Sequence, residues 1–134
     1  MLELSGFRKA INSLKESMRW YESENCDTPS DILRDSVIQR FEYTYELAWK
    51  MMKRWLEANL STTEVDGVAR RELFRIAAQQ QLVTDPLEWF KYHQARNLTS
   101  HIYDEATAEQ VFSVISSFID NVEHFFMEIE KRNG

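Results

Sequence analysis

At 134 residues, with 43% hydrophobic side chains and only three glycines and two prolines, the chain suits one domain over residues 1–134 that buries roughly two-thirds of its unfolded surface. So few turn formers point to long helices. A net charge of −6 and a single cysteine, Cys26, argue against a broad basic field for nucleic acid and exclude an intrachain disulfide, in keeping with a reducing cytosol.

Leu4, Phe7, Ile11, Leu14, Met18 and Tyr21 recur at alternating steps of three and four, which predicts a first amphipathic helix of about six turns. Thr28-Pro29-Ser30-Asp31 reads as the next helix start: Thr28 as cap, Pro29 at the first helical position, Asp31 near the positive end of the dipole. The second helix carries Ile38, Phe41, Tyr45, Ala48, Met52 and Trp55 on one stripe, widened by Val37, Leu47 and Met51, a width suited to a bundle interior. Glu46 and Lys50 stand in the favourable i, i+4 order.

Asn59-Leu60-Ser61-Thr62-Thr63 breaks the pattern, and Asp66 can cap a short third helix over Val68 to Gln80 with Leu73, Ile76 and Ala77 inward. Asp85-Pro86-Leu87-Glu88 opens a fourth helix that runs through Arg96 and frays near Thr99 to His101. Thr107-Ala108-Glu109-Gln110 reads as a capping box for a last helix with Phe112, Ile115, Ile119, Val122, Phe126 and Ile129 on one face. The expected fold is therefore all-α: an antiparallel up-and-down bundle of about five helices with a four-helix core. Phe118 and Phe125 fall off the last stripe and, with Trp49 or Trp89, could supply a dimer face.

No basic region precedes an apolar run at the N-terminus, and no stretch approaches the roughly 20 apolar residues of a membrane span, so a cytoplasmic protein with no membrane partner is expected. His93, His101 and His124 are scattered, without a cysteine pair or a His-Glu-x-x-His motif, so no metal site or other cofactor is expected. No Gly-rich phosphate loop occurs. Arg70, Arg71 and Arg75 form a basic cluster that reads first as a solvated helix face.

The densest chemistry lies in Gln94-Ala95-Arg96-Asn97-Leu98-Thr99-Ser100-His101-Ile102-Tyr103. At about 100° per residue, Asn97 and His101 share a helix face, and Arg96, Ser100 and Tyr103 share its neighbour. The amide could then orient the imidazole while guanidinium and phenol project beside it. Arginine offers a planar fork for phosphate and histidine exchanges protons near neutral pH. Asp104 could support a protonated His101 by charge. The same residues could form an ordinary helix end with a satisfied histidine, and Tyr103 could pack against the start of the last helix.

Arg96-Asn97-Leu98-Thr99-Ser100-His101 matches the Arg-polar-(three residues)-His pattern of HEPN domains, and Tyr103 completes the longer Arg-x4-His-x-Tyr form. Ile38-Gln39-Arg40-Phe41-Glu42 and Glu46-Leu47-Ala48-Trp49-Lys50 resemble the second-helix signature of one HEPN branch, the nucleotidyltransferase substrate-binding proteins. The resemblance covers nearly the whole chain. It implies a homodimer with both motifs facing a shared cleft that takes RNA or nucleotide, and a separately encoded minimal nucleotidyltransferase as partner. In toxin members the arginine and histidine cut RNA without metal, and the partner silences them by adding nucleotide to the motif tyrosine. Here those residues are Arg96 and His101, with Asn97 orienting the imidazole and Tyr103 as the modified group. The alternative is a binding subunit whose cleft holds a nucleotide or substrate for the transferase and performs no chemistry.

Overall fold

The computed structural model describes residues 2–60 and 69–133. Six α-helices occur among them: α1 Ser5–Glu22, α2 Ser30–Asn59, α3 Arg70–Gln79, α4 Pro86–Asn97, α5 Glu105–Phe112 and α6 Ile115–Arg132, with a 3₁₀ turn Thr99–His101 between α4 and α5. They form an antiparallel helical bundle. The expected Asp66 cap and the start of the third helix at Val68 lie outside the described residues.

The stripes pack as their spacing requires. Phe7, Ile11, Leu14 and Met18 of α1 meet Val37, Ile38, Phe41, Tyr45, Ala48 and Met52 of α2 in one core that also takes Ile115, Val122, Phe126 and Ile129 of α6. At about 1.5 Å per residue, the 30-residue α2 spans about 45 Å and touches every other helix. The two ends of the chain are tied together, Asn133 accepting from the Leu2 amide at 2.8 Å and donating to its carbonyl at 3.0 Å.

Four details differ from expectation. Phe118, Phe125 and Trp89 are not a dimer face: their exposures are 0%, 0% and 1%. Trp89 stands edge-on to Phe118 and Phe125 at ring distances of 5.8 and 6.0 Å, and Phe118 is edge-on to Phe41 at 4.9 Å. Adding residues one turn beside the main stripe widens the buried arc, because α6 is wrapped by α1, α2 and α4 rather than by a single partner. The last helix is broken at Ser113 and Val114, where the Val114 amide bonds the Val111 carbonyl, three residues back, at 3.3 Å. Its cap is Asp104, which accepts from the Thr107 amide and hydroxyl at 3.1 and 2.8 Å. At α2, Pro29 stands in the cap position and Thr28 makes no cap bond, whereas Asp85 caps α4 as expected, accepting from Leu87 N at 2.9 Å.

α3 ends on Gln81 at φ 62°, a left-handed conformation that ordinarily favours glycine. The Leu82 amide reaches the Ala77 carbonyl and the Gln81 amide reaches that of Ala78, both at 3.0 Å, closing the last turn. Arg132 holds this end in place, donating to the Gln80 and Gln81 carbonyls at 2.6 and 3.0 Å.

Candidate functional site

α4 changes pitch where the motif begins. The Leu98 amide bonds the Ala95 carbonyl and the His101 amide bonds that of Leu98, each at 3.0 Å, so bonding passes from four-residue to three-residue steps. Buried Thr99 fixes this change by donating its hydroxyl to the Arg96 carbonyl at 2.8 Å. Four residues of α-helix separate two side chains by about 40°, but four of 3₁₀ geometry separate them by about 120°. The tighter turn rotates His101 away from Asn97, whose amide lies against His93 instead.

His101 and Tyr103 do come together, imidazole Nδ1 lying 3.4 Å from the phenol oxygen. Both are exposed, Tyr103 by 84%, and the phenol does not pack on the last helix. Arg96 turns instead toward α2. Its Nε donates to Glu46 at 2.7 Å and its Nη2 lies 3.5 Å from Glu42. Partial burial opposes the charge on Glu46, but hydrogen bonds from Arg96 and Trp49 and the charges of Arg96 and Arg70 outweigh it, and its carboxyl stays below the ordinary range. Glu46 is thus paired to Arg96 and not to Lys50, whose ammonium lies 5.9 Å from the Trp49 ring centre. Asp104, which as a linker residue could also have supported a charged His101, directs its carboxylate to Thr107.

Asn97 finds a different imidazole. Its Nδ2 is 3.5 Å from Nε2 of His93, one turn earlier on α4. The other ring nitrogen of His93 lies 3.0 Å from the hydroxyl of Tyr45, which accepts from Arg70 at 3.1 Å. Burial, then the charge of Arg70, push the His93 imidazole below its ordinary range, which favours the neutral ring. Burial raises the Tyr45 phenol despite Arg70, so it keeps its proton. Arg70 also lies over the Trp49 ring at 3.6 Å, and Arg71 over Phe90 at 4.1 Å. Within the basic cluster, Arg70 is half-buried and tied to the site, whereas Arg71 and Arg75, the latter paired with Glu72 at 2.9 Å, are exposed as a solvated face requires.

A second anchor lies just past Tyr103. Arg34 is 6% exposed and donates to Glu105 and, at 2.9 Å, to Glu109 of α5, with Asp35 at 3.3 Å. The hydrogen bond to Glu105 leads among the forces that hold its guanidinium charged, against burial. This cluster ties the start of α5 to α2.

Glu42, Glu46, Tyr45, Arg70, His93 and Arg34 carry this chemistry, although sequence pattern placed none of them at the site. Glu42 and Glu46 sit in the second-helix segments, but only the fold shows that they face Arg96. Among the described residues, no three histidine, cysteine or carboxylate side chains are grouped to hold a metal ion. No helix among them is long and apolar enough to cross a membrane.

Residues 2–131 match the family model described as nucleotidyltransferase substrate binding protein like. The chain belongs to this family. It is 30% identical to the probable ribonuclease HepT of Haemophilus influenzae over 98% of this chain and 94% of that protein. A Haemophilus influenzae structure, described as the fold of a substrate binding domain of a nucleotidyltransferase, superposes with a TM-score of 0.84 at 28% identity, covering 96% of this chain and 99% of that one. A Thermus thermophilus crystal structure superposes with a TM-score of 0.73 at 27% identity, covering 92% and 98% of the two chains.

Proposed function

We propose that this chain is the HEPN-type partner of a separately encoded minimal nucleotidyltransferase, and that as a homodimer it cleaves RNA at Arg96 and His101. The observation that carries the reading is the exposed His101–Tyr103 pair at 3.4 Å, one turn past Arg96. It is supported by the relative called a probable ribonuclease. In the reaction the ribose 2′-hydroxyl attacks phosphorus, forming the 2′-O–P bond as the P–O5′ bond breaks. One His101 takes the 2′-hydroxyl proton, and a second imidazole, from the partner subunit, protonates the leaving 5′-oxygen. Arg96 stabilises the charge that grows on the phosphorane oxygens. The product is a 2′,3′-cyclic phosphate. One chain offers one exposed histidine in the motif, and two-fold symmetry supplies the other.

Glu46 and Glu42 hold Arg96, so an incoming phosphate must share or displace these carboxylates. That contact also favours a second reading, in which the cleft binds nucleotide for the transferase and performs no chemistry. Purified protein incubated with RNA separates the two. On the ribonuclease reading, His101→Ala and Arg96→Ala each abolish cutting while helical content persists. Undiminished cleavage by a folded His101→Ala dimer would overturn the assignment. Loss of cleavage on adding a chelator would point to a metal mechanism.

A further inference from the structure

The donors and acceptors from Arg70 to Asn97 favour one assignment of protons. Arg70 can only donate, and its Nη1 lies 3.1 Å from the Tyr45 oxygen and 3.5 Å from Nδ1 of His93. A proton on Nδ1 would face that guanidinium and leave the Tyr45 hydrogen without its acceptor. A lone pair on Nδ1 instead accepts the Tyr45 hydrogen across 3.0 Å and faces the arginine charge favourably. The neutral ring must then carry its proton on Nε2. That nitrogen lies 3.5 Å from the Asn97 amide nitrogen, which would set one donor against another. A half-turn of the amide removes the conflict, because its oxygen then accepts from Nε2 and its NH2 points away from the ring. Asn97 is exposed at the last position of α4, so the outward NH2 meets solvent.

We propose that Arg70, Tyr45 and His93 form a fixed hydrogen-bond relay that holds Asn97 as an outward amide donor for a phosphate oxygen of the bound RNA. The inference rests on the RNA-binding part of the reading above and does not need the cleavage step. Asn97 then touches the substrate, and does not orient His101. His93 is a positioning residue, acting through Asn97. The relay also couples α2, α3 and α4 at the site, since Tyr45, Arg70 and His93 come from one helix each.

The test is nitrogen-resolved NMR of the labelled full chain near neutral pH, with and without a non-cleavable 2′-O-methyl oligoribonucleotide. The expected result is a His93 ring protonated on Nε2 alone, and an Asn97 NH2 resonance that shifts on adding the oligonucleotide. Tyr45→Phe should let the Nδ1-protonated form appear. His93→Leu should weaken oligonucleotide binding by about tenfold, the loss of roughly one charge-assisted hydrogen bond. His93→Gln, whose amide can donate from the Nε2 position, should recover most of it. A ring protonated on Nδ1, a doubly protonated ring, or an Asn97 resonance unmoved by bound oligonucleotide would overturn the relay. Wild-type protein that shifts Asn97 yet never cuts unmodified RNA would end the ribonuclease reading and leave the relay standing.

Discussion

Tyr103 is the most exposed of the large apolar side chains described, at 84%, and nothing in the core asks for an aromatic there. Among the described residues its phenol reaches only His101, at 3.4 Å, so a group attached to it would project over the motif. Transfer from ATP would join the phenol oxygen to the α-phosphorus, release pyrophosphate and put a phosphodiester charge where an RNA phosphate would sit, within reach of arginine. On the reading that a partner nucleotidyltransferase silences the chain at Tyr103, Tyr103→Phe keeps any ribonuclease activity and escapes silencing. Incubation with the partner transferase and ATP, followed by intact-mass measurement, checks this. An adduct of undiminished yield on the variant would place the handle elsewhere. At this scale the sequence was readable only where spacing needs no knowledge of pitch. The proximity of His101 and Tyr103 survives a helix end because they are two residues apart. The pairing of Asn97 with His101 does not, because it assumed four residues of unbroken α-helix.

Helix starts carried by a proline and an acid were legible to within a residue, since Asp85 and Pro86 satisfy needs that are local. The cap of α5 was placed at Thr107 although Asp104 fills it; both lie in one short polar run, and the choice depends on which carboxylate is free. Glu105 is not free, because Arg34 binds it from α2. That long-range pairing, 71 residues apart in sequence, leaves no local pattern to read. It sets up an asymmetric prediction. Arg34 is buried, with side-chain exposure of 8%, whereas Glu105 and Glu109 are 72% and 64% exposed. Removing the two acids leaves a charge that water reaches poorly with Asp35, at 3.3 Å, as its remaining carboxylate, while removing the arginine leaves acids that water solvates readily. Glu105→Gln combined with Glu109→Gln should therefore lower the thermal midpoint more than Arg34→Met does. Equal or reversed ordering in a melting experiment would show that packing of the arginine stem, not its charge, holds α5.

For the whole molecule, the all-α bundle follows from three long stripes with few turn residues, and those stripes were visible. The missing part was how much core one chain could build alone. Surplus aromatics on α4 and α6 look like an interface when each helix is read by itself, yet Trp89, Phe118 and Phe125 fill the centre of a single bundle. Any dimer must then rest on other surface, and the chemistry restricts which. His101 and Tyr103 are exposed at one end of α4, and a cleavage that uses two imidazoles needs the two copies of this end to face each other. The expected species in sedimentation at micromolar concentration is therefore about twice the 16.0 kDa of the chain. A charge reversal at the motif rim discriminates this arrangement from a dimer formed elsewhere. Asp104→Lys replaces the cap of α5, so it serves poorly; Ser100→Glu, exposed on the 3₁₀ turn, keeps the helices intact and brings two like charges together only if the motifs face one another. Weaker dimerisation that recovers at high salt is the expected result, because screening removes the repulsion. A dimer indifferent to Ser100→Glu would put the two motifs apart, and a species that stays at 16.0 kDa in the wild type would remove the second imidazole from the mechanism.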